Sequence, residues 1–383
     1  VPTLFENARL LDADGETVDG WLLVDGDTIV ARGTVEPPDP GPDATRHDLG
    51  GAWLVPGFID LHGHGAGGFS YDDGAEAVSA ALATHRAHGT TRSVISLVAN
   101  PLDTLATSLD AVASLASRDP LILGSHLEGP FLAVRRRGAH AREFLQAPEP
   151  ATVEVLLDAA RGTLRQITIA PELPGAVEAI DRFVGAGVVV AVGHTETDYD
   201  TARRAFGHGA RMLTHAFNAM PGIQHRDPGP LVAAFDDENV TIELVADGIH
   251  VHPGVLQMTF RAAPDRIALV TDAMAAAGSD DGFYTIGSLN VTVKDGKALL
   301  NGTDTLAGST LTQDVALRTT ITRADVPPVA AITAMTLTPA RVLGLDGRLG
   351  RLAPGYAADL VVLGADWRVR GVWADGRPVA PAA

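Results

Sequence analysis

The stretch WLVPGFIDLHGHG, residues 53–65, is an apolar run that ends in His62 and His64, two residues apart. On a β-strand that spacing sends both imidazoles to one side, because side chains alternate with period two. Gly63, Gly65, Gly67 and Gly68 clear space around them. Two neutral imidazoles at a strand end make half of a metal site. Whether it is completed depends on what later strands deliver.

Beyond residue 53, apolar β-branched runs alternate with Ala-rich amphipathic segments. The patterning predicts strands over 54–61, 92–98, 121–127, 166–170, 188–192, 211–214, 241–246 and 267–271. Helices are expected between them over 75–88, 103–116, 151–160, 175–186 and 199–208. Eight nearly continuous apolar strands, mostly separated by helices, indicate an α/β fold: a (β/α)8 TIM-like barrel over 53–343. A β-hairpin insertion is expected near 281–300, after the eighth strand. Short turn-punctuated strands at 3–11, 20–24 and 28–31 match others at 358–363 and 370–373. They predict one small, discontinuous β-sandwich domain built from residues 1–52 and 344–383 of the two termini.

Composition removes several chemistries. With 29 basic and 47 acidic side chains the net charge is −18, which argues against nucleic acid and anionic membranes as partners. No apolar run reaches the ~18 residues of a membrane span. The first residues lack a basic patch followed by an apolar stretch, so a cytoplasmic protein is expected. The absence of cysteine excludes disulfides, thiolate zinc sites and a cysteine nucleophile. The only lysines, Lys294 and Lys297, share one short polar segment far from any predicted barrel strand end.

The ligand-capable residues gather at the C-terminal ends of predicted strands, where barrel active sites lie. Strand one ends in His62 and His64, strand three in His126-Leu-Glu128, strand five in Gly193-His194, strand six in Thr214-His215 and strand eight in Thr271-Asp272. One or two divalent metals with nitrogen and oxygen ligands fit this set, and Zn²⁺ or Fe²⁺ suit it better than Mg²⁺. Such a metal activates water and polarises a carbonyl. Asp272 is then the natural group to take the proton of that water and pass it to a leaving amine. His47, His85, His88, His208 and His252 read as structural, His126 as a support behind the ligands and Glu172 as a structural acid of the rim.

Nine segments carry a resemblance: PGFIDLHGHG (56–65), HLEGPFL (126–132), RRGAH (136–140), VGHT (192–195), THAFNAMPG (214–222), VADGIHVHP (245–253), LVTDAMAAAG (269–278), LAGS (306–309) and PGYAADLVVL (354–363). Together they resemble the amidohydrolase superfamily, and within it the N-acetylglucosamine-6-phosphate deacetylases, over essentially the whole chain. Dihydroorotases and hydantoinases bridge their metals with a carboxylated lysine, and some D-aminoacylase-like enzymes use cysteine; this chain has neither at a strand end.

The resemblance implies the amidohydrolase type of barrel and hydrolysis of N-acetyl-D-glucosamine 6-phosphate to D-glucosamine 6-phosphate and acetate. It assigns Glu128, His194 and His215 to the principal metal and His62 and His64 to a second, with Glu128 bridging. Asp272 becomes general base and acid, and His140 a donor to the acetamide oxygen. Ala139, Asn218, Ala219, Leu306, Ala307 and Gly308 would contact the substrate, with the backbone N–H groups of Asn218 and Ala219 as donors. Arg226 and His250 would take the phosphate, Arg226 arriving from the neighbouring subunit of a homodimer. Arg135–Arg137 reads as a solvated lid segment. The galactosamine isomer, or another N-acetylated sugar, is the neighbouring substrate reading. A non-catalytic scaffold would lack ligands or the aspartate, and neither is missing.

Overall fold

The computed structural model describes residues 2–380. The chain opens with β1 (Thr3–Asp12), β2 (Gly15–Asp25) and β3 (Thr28–Gly33), an antiparallel meander. β4 (Thr45–Asp48) and β5 (Trp53–Pro56) both pair in parallel with β1. The barrel begins at β6 (Phe58–Asp60) and is followed by a short ribbon, β7 (Gly65–Ala66) with β8 (Phe69–Ser70). Then come α1 (Ala75–Ala87), β9 (Thr90–Val98), α2 (Leu102–Ala116), β10 (Ile122–Glu128), α3 (Pro150–Ala160) and β11 (Leu164–Ile169). The alternation continues with α4 (Ala176–Gly185), β12 (Val189–Val192), α5 (Tyr199–Gly207), β13 (Met212–Leu213), α6 (Gly229–Phe235), β14 (Thr241–Val245), α7 (Pro253–Ala262) and β15 (Ile267–Val270).

The expected insertion is a three-stranded meander, β16 (Gly282–Ile286), β17 (Leu289–Lys294) and β18 (Lys297–Leu300). α8 (Gln313–Thr322), α9 (Pro328–Met335) and α10 (Leu337–Val342) complete the helical layer. β19 (Leu360–Leu363), β20 (Val369–Ala374) and β21 (Arg377–Ala380) return the chain to the terminal sheet, where β19 pairs antiparallel with β5.

The barrel strands lie in the order β6-β9-β10-β11-β12-β13-β14-β15, all neighbours parallel. Every residue of β9, TTRSVISLV, is buried, as a strand packed between barrel interior and helices must be. The last strand meets the first through the segments just past both. The Asp272 N–H donates to the His62 carbonyl at 2.8 Å and the His64 N–H to the Ala273 carbonyl at 2.7 Å. Below them Thr271 Oγ1 donates to the buried Asp60 carboxylate at 2.6 Å.

The single strand expected over 54–61 is divided. Trp53–Pro56 belongs to the terminal sheet and Phe58–Asp60 to the barrel. Gly57 is the crossing point: its N–H donates to the Asp359 carbonyl, and a Cβ there would lie 2.3 Å from Thr91 Oγ1. Any larger residue would force the two sheets apart.

The terminal strands form a separate sheet that folds over on itself, because a bridge between Thr28 and Ala357 returns its far edge to the segment entering β19. The small sandwich so formed has its own core of Phe5, Leu10, Leu22, Val24, Ile29, Leu54, Leu360 and Trp373. Each large side chain buried there contributes about 1.5–3 kcal/mol. Arg92 of β9 ties the barrel to it, with Nε 2.7 Å from Asp359 Oδ2 and Nη2 2.5 Å from Asp375 Oδ1. No helix among the described residues is long and apolar enough to cross a membrane.

Candidate metal centre and active site

The six residues expected at the barrel rim meet at one point. Glu128, the last residue of β10, stands at the centre. His194 Nε2 and His215 Nε2 each lie 3.0 Å from its Oε1, and His64 Nε2 lies 3.0 Å from its Oε2. His62 Nε2 is 3.4 Å from Oε1. Asp272 Oδ1 closes the other side, 3.5 Å from His64 Nε2 and 3.6 Å from His62 Nε2.

Two overlapping groups of ligand atoms result, His62–His64–Glu128–Asp272 and Glu128–His194–His215, each with all atoms within 4.8 Å of one another. Glu128 belongs to both, as a bridging carboxylate would.

The donor set fits divalent metal. His194 Nδ1–H donates to the Arg136 carbonyl at 2.7 Å and His62 Nδ1–H to Glu243 Oε2 at 3.2 Å. Each bond fixes the tautomer that turns the Nε2 lone pair inward. The His194 and His215 Nε2 atoms approach to 2.9 Å, a separation that requires a proton or a metal ion between them. The two carboxylates demand positive charge too. Against the burial that depresses it, Asp272 and Glu128 hold His64 up to about 9. Burial would raise Glu128 and Asp272, yet the surrounding imidazoles, His62 foremost, keep both well below the ordinary carboxylate range. The Nδ1 atoms of His64 and His215 are buried without a hydrogen-bond partner.

Backbone strain accompanies this convergence. His194 (φ 47°), His215 (φ 26°) and Asp272 (φ 48°) all sit in left-handed conformations at or just past their strands. Non-glycine residues rarely adopt this region, and each instance costs roughly 1–3 kcal/mol. The barrel sets these side chains at an angle that a continuing strand would not allow.

His140 reaches the same centre from the loop after β10. The Ala99 N–H donates to its Nδ1 at 3.2 Å, so the ring proton sits on Nε2, 3.3 Å from Glu128 Oε2. That proton points into the site.

Above the cluster opens a cavity of about 470 Å³ lined by Ala139, Asn218, Ala219, His250, Leu306 and Gly308, among others. His250 is braced by its Nδ1–H bond to Asp247 Oδ2 at 2.7 Å. The other expected contact residues lie differently with respect to this cavity. Ala307 does not face the cavity; its methyl is buried with Met274, Ile286 and Val291. Arg135–Arg137 lines the cavity mouth, with Arg135 and Arg137 exposed to solvent. Arg226, exposed ahead of α6, does not line the cavity of its own chain.

Several other residues at the rim have structural employment. His126 lies under His62, with ring nitrogens 2.9 Å from Ser96 Oγ and 3.0 Å from Thr168 Oγ1. His252 caps α7, accepting from the Gly254 N–H. Glu172 organises the loop after His194 by accepting from Thr195 Oγ1 and the Glu196 N–H. The sequence reading missed Glu243 and Asp60. An acid inside an otherwise apolar strand, as in TIELV, was the available signal for Glu243.

Comparison with known proteins agrees with this geometry. The amidohydrolase family matches residues 53–379. The N-acetylgalactosamine-6-phosphate deacetylase of Escherichia coli O157:H7 is 37% identical, covering 94% of this chain and 96% of that protein. The N-acetylglucosamine-6-phosphate deacetylase of Bos taurus is 36% identical, covering 87% and 85% respectively. Among solved structures, a mutant N-acetyl-D-glucosamine-6-phosphate deacetylase from Mycobacterium smegmatis, in complex with N-acetyl-D-glucosamine-6-phosphate, is 42% identical. It superposes with a TM-score of 0.94 over 99% of both chains. The Thermotoga maritima N-acetylglucosamine-6-phosphate deacetylase, 28% identical, gives 0.88 over 99% of both. The chain belongs to the amidohydrolase family.

Proposed function

We propose that this protein hydrolyses N-acetyl-D-glucosamine 6-phosphate to D-glucosamine 6-phosphate and acetate, in amino-sugar catabolism in the cytoplasm. The observation that carries the reading is the convergence of Glu128, His194, His215, His62, His64 and Asp272 beneath one cavity, with the His140 Nε2–H aimed into it. Relatives named for deacetylation of N-acetylated hexosamine phosphates support the substrate class.

Glu128, His194 and His215 would hold one divalent ion, and His62 and His64, with Glu128 and Asp272, a second. Bound there, such an ion lowers the pKa of water to ~7 and polarises an amide carbonyl. The nitrogen and oxygen ligands favour Zn²⁺ or Fe²⁺. Asp272, acceptor-only when ionised, takes the proton of the attacking water. His140 donates its Nε2–H to the acetamide oxygen as negative charge develops there. When the carbon–nitrogen bond breaks, Asp272 returns the proton to the departing amine. His250 and the backbone N–H of Ala219 serve the polar groups of the sugar phosphate, whereas the Asn218 N–H is already given to the His215 carbonyl at 3.1 Å. Arg226 comes from the partner subunit of a homodimer, consistent with its absence from its own chain's cavity.

The test is steady-state turnover on N-acetylglucosamine 6-phosphate, its galactosamine isomer and both unphosphorylated sugars, with metal content measured on the same sample. The gluco phosphate is expected to have the highest kcat/KM. A higher value for the galacto phosphate would assign the activity of the Escherichia coli relative instead. A metal-loaded protein that releases acetate from none of them would end the reading.

A further inference from the structure

Glu243, on β14, is fully buried. A carboxylate in that position costs several kcal/mol unless its surroundings answer it. No arginine or lysine does so. Its Oε2 instead accepts the His62 Nδ1–H and the His215 backbone N–H, both at 3.2 Å, and its Oε1 accepts Gln166 Nε2–H at 2.7 Å. One oxygen thus touches a residue from each of the two ligand groups.

We propose that Glu243 is the positioning residue that makes His62 and His64 a working second metal position and ties it to the first. The inference rests on the reading of the rim residues as metal ligands. An imidazole can carry its proton on either nitrogen. With the Glu243 carboxylate as acceptor, His62 keeps its proton on Nδ1 and turns the Nε2 lone pair toward His64 and Glu128. Without that acceptor the ring is free to turn an N–H into the metal position. His194 has a separate lock, the Arg136 carbonyl at 2.7 Å. The two positions are therefore held by different devices, and removing Glu243 weakens the second selectively. Its bond to the strained His215 backbone (φ 26°) links the two positions from behind, as Glu128 links them from within.

Chelator-stripped protein titrated with Zn²⁺ by calorimetry, with bound zinc counted per subunit after desalting, tests this without substrate. Wild type is expected to bind two ions. Glu243→Leu, close in volume and without an acceptor, should bind the first within about threefold of wild type and the second ~100-fold more weakly. Glu243→Gln keeps an acceptor oxygen for His62 but loses the charge and turns its other oxygen into an amide donor, which Gln166 can accept by turning its unpartnered Oε1 toward it; the loss for its second ion should be ~10-fold. Wild-type second-ion affinity in either folded variant, equal weakening of both ions, or a single ion in wild type would overturn the proposal. If the leucine variant fails to fold, the glutamine variant decides. Wild type that binds no ion at all would instead remove the metal-dependent function itself.

Discussion

Asp272 donates its backbone N–H to the carbonyl oxygen of His62 at 2.8 Å, where the eighth barrel strand must meet the first. The same two residues put their side chains 3.6 Å apart in the ligand cluster. Closing the barrel and assembling the site are one event. Asp272→Asn preserves the backbone bond and the side-chain shape while removing the proton acceptor. The variant should fold, keep the ion at Glu128, His194 and His215, and lose ~10²–10⁴-fold in kcat. Turnover near wild type, with metal content checked, would remove Asp272 as proton carrier.

His140 is held by the Ala99 N–H so that its own proton points into the site, where the proposed reaction places the acetamide carbonyl. His140→Ala should lower kcat by ~10²–10³-fold with a smaller change in KM, because the bond strengthens as the oxyanion forms. A change confined to KM would make it a ground-state binding residue.

The proposed supply of Arg226 by the partner subunit predicts complementation. Arg226→Ala and Asp272→Asn proteins, each poorly active alone, should recover activity when their subunits are mixed and exchanged. A mixed dimer would then hold one site with both groups intact. Mixtures no better than the separate variants would place Arg226 in its own subunit's site or outside both.

Burial pushes His85 down to about 4, and its bond to the Gly65 carbonyl at 3.1 Å opposes this only in part. The unfolded chain takes that proton near pH 6.5, while the native state refuses it until about pH 4. Stability from the neutral ring is therefore complete above pH 6.5 and is lost as pH falls toward 4, by about 3 kcal/mol in all. Thermal unfolding of His85→Gln should show a shallower drop in Tm between pH 6.5 and 5 than wild type. Parallel curves would contradict the assignment.

Arg92→Met removes the cation that pairs with buried Asp359. Leaving that carboxylate unpaired should destabilise the protein by about 3–5 kcal/mol, seen as a lower denaturation midpoint. Adding Asp359→Asn should recover part of it. A midpoint unchanged in Arg92→Met would show that the barrel and the terminal sheet do not depend on this tie.

Most of the site was legible because each ligand follows a recognisable strand. The strands leading to Glu128, His194, His215 and Asp272 are buried on both faces, and a polar residue at such an end has nowhere to go but the rim. The run 53–61 misled because hydrophobic character does not say which sheet a strand joins. Gly57 divides it through a close approach to Thr91, a residue thirty-odd positions away. Arg135–Arg137 read as solvent-facing because charge runs usually are, yet the loop carrying His140 folds them over the cavity and spends the Arg136 carbonyl on His194.

By itself, the order of residues determined the alternation of strands and helices, the absence of lysine and cysteine chemistry, and the identity of the metal-capable side chains, since these depend on periodicity and residue type. Only the tertiary structure decided which tautomer His62, His140 and His194 adopt, that Glu243 stands behind His62 and His215, that Ala307 turns away, and that Arg226 lies outside its own chain's cavity. Hydrogen-bond partners and orientations are set by segments distant in sequence that meet when the barrel closes, and no local pattern encodes them.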